Sequence, residues 1–91
     1  MPSIDIQRKH GLGLKKARAV VEDIAYAMAE RFEFESAWNG DTLLFERSGV
    51  RGGIVVAADS VRVHADLGFM LMLMKPAIED EIRRHLDEHF A

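Results

Sequence analysis

Apolar and polar residues alternate over Ser3–Arg8, with Ile4 and Ile6 on one side and Asp5 and Gln7 on the other. That is the period of a half-buried β-strand. His10-Gly11-Leu12-Gly13 breaks the alternation and reads as a turn. The period then changes. Leu14, Ala17, Val21, Ile24, Met28 and Phe32 recur at three- and four-residue steps, which predicts an amphipathic helix over Leu14–Phe32 with Lys15, Arg18, Glu22 and Glu30 off the apolar stripe. Alternation returns in Glu33–Trp38, where Phe34, Ser36 and Trp38 share a face. Asn39-Gly40 follows, the strongest short hairpin signal. Its partner strand is Thr42–Arg47, with Leu43 and Phe45 inward. Ser48–Gly53 holds three glycines and reads as a loop. Gly53–Ala58 and Ser60–Leu67 are two further strands around a turn at Ala58-Asp59. In the second, Val61, Val63 and Leu67 alternate with Arg62, His64 and Asp66.

The pattern also predicts register. A two-residue turn at Ala58-Asp59 sets Val56 opposite Val61 and Ile54 opposite Val63, all on one face, as strand pairing over a core requires. A four-residue loop at Ser48–Arg51 sets Phe45 opposite Ile54 and Leu43 opposite Val56. The predicted fold is α+β, in the order β-α-β-β-β-β-α. It has a single antiparallel sheet covered on one face by two helices and a spatial strand order of 2-3-4-5-1. Residues 1–91 form one domain in this reading.

The stretch Leu67–Phe90 organises the rest. Leu67 to Met74 carries no charge, and after Pro76 the chain becomes a charged helix reaching about Phe90. Proline suits the first turn of a helix. Ile78, Ile82, Leu86 and Phe90 form its buried edge. Phe69–Lys75 is either a helical turn or two, kinked at Pro76, or an irregular bridge. If helical, it turns Leu71 and Met74 toward the core and leaves Phe69 and Met72 exposed. Large apolar residues that point all round one short element cannot all be buried against one sheet. Phe69, Met70, Met72 and Leu73 are therefore the candidate binding surface, for a second subunit, a lipid-like phase or a partner chain. Methionine suits such adaptable contacts.

Composition narrows the chemistry. The chain of 91 residues has no cysteine, which removes disulfide and thiolate chemistry. Asp5, Arg8 and Lys9 interrupt any apolar leader, so no signal peptide is expected. No apolar run approaches the length of a transmembrane span. The net charge of −3 argues against nucleic acid as a partner. Residues 1–20 carry Arg8, Lys9, Lys15, Lys16 and Arg18 against Asp5 alone, a local basic excess that reads as a solvated helix face.

No catalytic residue, metal ligand or cofactor is expected. His64 and Asp66 share an outward strand face, the makings of a general base, without a nucleophile beside them. His85 and His89 are four apart on the last helix, with Glu81 and Glu88 near, a spacing that could bring two imidazoles to one ion. A site needs three or four ligands, and no third is assured. Gly11-Leu12-Gly13 before a helix lacks the phosphate-loop and dinucleotide patterns. Trp38 reads as core or rim packing.

Several segments, taken in order, resemble a known family. They are Ser3-Ile4-Asp5-Ile6, Gly11-Leu12-Gly13-Leu14, Trp38-Asn39-Gly40-Asp41-Thr42-Leu43, Phe45-Glu46-Arg47-Ser48-Gly49-Val50, Asp59-Ser60-Val61-Arg62-Val63, Leu67-Gly68-Phe69 and Glu81-Ile82-Arg83-Arg84-His85-Leu86-Asp87. Together they resemble the polyhydroxyalkanoic acid system family, small bacterial proteins linked to polyhydroxyalkanoate granules. The resemblance implies a cytoplasmic protein at or near storage granules, with the granule surface or granule proteins as partner, and the apolar turn keeps a homo-oligomer open as well. It brings no catalytic residues. The element order is also similar to a reduced helix-grip fold, which keeps open a second reading: a small carrier holding an apolar molecule between sheet and final helix.

Overall fold

The computed structural model describes residues 3–90. Strands β1 (Ser3–Lys9), β2 (Glu35–Asn39), β3 (Thr42–Arg47), β4 (Val50–Val56) and β5 (Ser60–Leu67) form one antiparallel sheet in the order β1-β5-β4-β3-β2. Helix α1 (Leu14–Phe32) crosses from β1 to β2. A 3₁₀ turn (Phe69–Met74) runs directly into α2 (Lys75–His89). The predicted α+β class, element order and strand order are those observed.

Both helices cover the same face of the sheet. From α1 this face receives Ala17, Val21, Ile24, Met28 and Phe32, and from α2 it receives Ile78, Ile82 and Leu86, with Phe90 just beyond the helix. They meet Ile4, Ile6, Leu43, Val50, Ile54, Val56, Val61, Val63, Ala65 and Leu67 from the sheet. Among the described residues no polar or charged side chain is buried. The opposite face is wet. There Arg62 forks onto both oxygens of Asp5, at 2.9 and 2.6 Å, and Arg51 approaches Glu46 at 3.7 Å.

Val56 pairs with Val61 and Ile54 with Val63, as the Ala58-Asp59 turn predicts. The next register is corrected. Leu43, not Phe45, faces Ile54, and Phe45 faces Gly52. The connection between β3 and β4 is the two residues Ser48 and Gly49, so Gly52 and Gly53 lie within β4 rather than in a loop. Gly52 is there because nothing larger fits. A Cβ on it would sit 2.2 Å from the His64 carbonyl oxygen and 2.7 Å from Ala65 Cα. Gly49, at φ 88°, is the residue that turns the hairpin. The β2–β3 loop is likewise shifted by one: Asn39 pairs with Thr42, which leaves Gly40, at φ 62°, and Asp41 as the turn.

Helix α1 ends without glycine. Glu33 takes the left-handed conformation at φ 61°, and its N–H bonds to the Ala29 carbonyl at 2.7 Å. Arg47 on β3 donates from Nη1 to the Phe32 carbonyl at 2.8 Å, satisfying one of the carbonyls a helix end leaves open.

Candidate functional site

The site is built on the β3–β4 turn. Leu67 ends β5 opposite Val50, so the chain leaves the sheet beside Gly49. Gly68 N–H then bonds to the Gly49 carbonyl at 2.7 Å, and Leu71 N–H bonds back to the Gly68 carbonyl at 3.0 Å. Leu71 lies directly over Gly49: a Cβ there would be 3.1 Å from Leu71 Cδ1. A bare Gly49 thus lets the apolar turn sit tightly against the end of the sheet.

Three residues per turn make a 3₁₀ helix stack its side chains in columns. Leu71 and Met74 form one column, Phe69 and Met72 a second, Met70 and Leu73 a third. The Leu71 column faces the protein, where Leu71 packs against the core. The other two face outward. Phe69 is 82%, Met70 86% and Leu73 90% exposed, while Met72, at 40%, leans on the body. Met74, at 37%, is covered to the same degree as Met72 and is not buried as expected. The 3₁₀ winding, tighter than the α period of α2, takes the column off the line of Ile78 and Ile82. The result is a convex apolar wedge on the end of the molecule. Behind it Lys75 and Glu79 approach at 3.5 Å on the first turn of α2.

The other candidates fall elsewhere. His64 and Asp66 lie on the wet face, with His64 opposite Asp5 and Asp66 opposite Arg51. Trp38 is half-buried at the far end of the sheet. The Arg18 guanidinium stacks on its ring at 4.3 Å, and its Nε1 donates to Glu22 at 3.2 Å. Leu12 N–H donates to His10 Nδ1 at 3.1 Å, so one amide of the glycine turn is already used. His85 and His89 stack near the end of α2, and Glu88 joins them as a third potential ligand, which the spacing of the two histidines alone did not assure.

Under the helices lies an apolar cavity of about 30 Å³, lined among others by Ala25, Met28, Phe45, Val50, Ala65 and Ile78. It exists because Gly52 and Ala65, paired across β4 and β5, present almost no side chain to the middle of the covered face. Among the described residues no helix is long and apolar enough to cross a membrane.

Sheet, helices and wedge define an α+β fold whose most conspicuous surface is apolar. The chain belongs to the family described as "Putative polyhydroxyalkanoic acid system protein", whose model matches residues 4–90. No curated protein and no solved structure matches it.

Proposed function

We propose that this is a non-enzymatic, granule-associated or granule-regulating protein that binds the apolar surface of a polyhydroxyalkanoate granule, or a protein there, through Phe69, Met70, Met72 and Leu73. The family supports the setting. The observation that carries the contact is the near-complete exposure of Phe69, Met70 and Leu73 on one turn seated against the end of the sheet. Clustered exposed apolar groups mark interaction sites far more often than scattered ones do. The shape favours a soft phase. A stable protein interface buries roughly 800 Å² on each side, and a convex wedge of four side chains offers less. A polymer or lipid-like phase can close around all of them. Each residue fully buried there contributes roughly 1.5–3 kcal/mol before association costs.

The carrier reading finds less support. Pockets for small ligands run to roughly 300–1,000 Å³, against a cavity of about 30 Å³ here. Co-sedimentation with purified polyhydroxyalkanoate granules tests the proposal. Phe69→Ser with Leu73→Ser should keep the wild-type fold, because both side chains are in solvent, and should lose most granule binding. A folded double variant that sediments like wild type sinks the reading. One that binds granules normally but loses self-association in light scattering assigns the turn to a second copy of the chain instead.

A further inference from the structure

The far end of α2 carries a second cluster. His85, Glu88 and His89 stand at i, i+3 and i+4, positions that share one side of a helix. A ring nitrogen of each histidine and a carboxylate oxygen of Glu88 lie within 4.8 Å of one another. The two rings are nearly parallel, with centroids 6.2 Å apart. His85 is held by its surroundings. Its Nε2 lies 3.4 Å from Glu81 Oε1 one turn earlier, and Glu81 is itself anchored by Arg84 and, at 3.6 Å, by Arg31 of α1. The other nitrogen, His85 Nδ1, is buried with no hydrogen-bond partner. A neutral imidazole whose Nε2–H faces a carboxylate keeps a lone pair on Nδ1. Histidine ligands backed by a carboxylate use this same division of the two ring nitrogens.

We propose that His85, Glu88 and His89 bind one divalent transition-metal ion of the zinc class, with Glu81 as the carboxylate that orients His85 and water completing the shell. Two imidazoles and a carboxylate suit zinc, whereas magnesium and calcium take oxygen ligands. Bonds of about 2.0–2.2 Å place neighbouring tetrahedral ligands roughly 3.3–3.5 Å apart. Rotation of the exposed Glu88 and His89 side chains closes the remaining gap. The last turn of a helix also favours a cation through the backbone dipole. The site stands beside the contacts that fasten this end of the chain, the Arg8–Asp87 ion pair and the packing of His10 on Phe90 at 5.1 Å between ring centroids. A metal there would brace the last turns of α2 themselves, remote from the apolar wedge.

Tag-free, chelator-treated protein titrated with zinc chloride in a calorimeter is the test, with cobalt absorption as a spectroscopic check on coordination. The expected result is one ion per chain and, at zinc well above its dissociation constant, a melting temperature raised by about 5 °C or more. His89→Ala should melt like wild type without metal, because His89 is exposed, and should bind zinc at least tenfold more weakly. Glu88→Gln should weaken binding to a lesser degree. Absence of binding heat and of any thermal shift overturns the proposal, as does a His89→Ala variant that binds zinc like wild type.

Discussion

Glu33 is the only non-glycine residue with positive φ among those described. A residue with a side chain costs roughly 1–2 kcal/mol in the left-handed region, and glycine is free of that penalty. Glu33→Gly should therefore raise stability by about 0.5–1 kcal/mol once the extra chain entropy of glycine is subtracted. Urea unfolding of the two proteins measures it, and an unchanged or lower midpoint contradicts it. On the wet face, the two hydrogen bonds from Arg62 hold the Asp5 carboxyl below its usual range, and Asp5 in turn raises the Arg62 guanidinium. A lowered carboxylate stabilises the fold at pH values above its unfolded pKa and loses that contribution as pH falls through the folded value. Wild type should exceed Asp5→Asn slightly at neutral pH, with the difference vanishing below the ordinary carboxylate range. The gap is small, because both groups are exposed. A gap that widens in acid would show that the pair is not its source.

The strands and helices were legible where a single period ran unbroken. Val61, Val63 and Leu67 alternate cleanly, and Ile78, Ile82 and Leu86 recur every four residues, so both faces were assigned correctly. Reading failed at Gly52 and Gly53. Glycine has the same letter in a turn and in a crowded strand, and only the backbone of the neighbouring strand, 2.2 Å from a would-be Cβ, distinguishes them. That ambiguity moved the β3–β4 register by two residues. The apolar turn was legible as an excess of apolar side chains, but its winding was not. A 3₁₀ column and an α stripe both put Leu71 inside and set Met74 on the same side, so the apolar pattern does not tell the two windings apart. The packing difference between faces gives a graded expectation. Ile82→Ala removes a buried branched chain and should cost roughly 2–5 kcal/mol. Phe45→Ala should cost less than a fully buried phenylalanine would, because Phe45 lies at the rim opposite Gly52 and is only partly covered. Denaturant midpoints that reverse this order would place the centre of the core under β3 rather than under α2.

The molecule is elongated, 37 × 23 × 23 Å, and its two ends are chemically different. One end holds the β3–β4 turn, the apolar wedge and the start of α2. The other holds the β2–β3 turn, the end of α2 and Trp38, the only tryptophan in the chain. Seating the wedge in an apolar phase leaves the far end in water, because the sheet lies between them. Trp38 thus becomes a built-in reporter. Its ring is stacked under Arg18 and bonded to Glu22, contacts that do not involve the wedge. Emission from the wild-type protein should therefore keep its wavelength when granules are added. Leu73→Trp places a second indole on the wedge, 90% exposed at the parent residue, and should keep the fold. Its additional emission should shift to the blue on granule binding, as an indole leaving water does. A blue shift in both proteins would mean that the helices open around the apolar phase and the whole core takes part. A shift in neither, with binding intact, would place the contact on some other surface and detach the wedge from granule binding altogether.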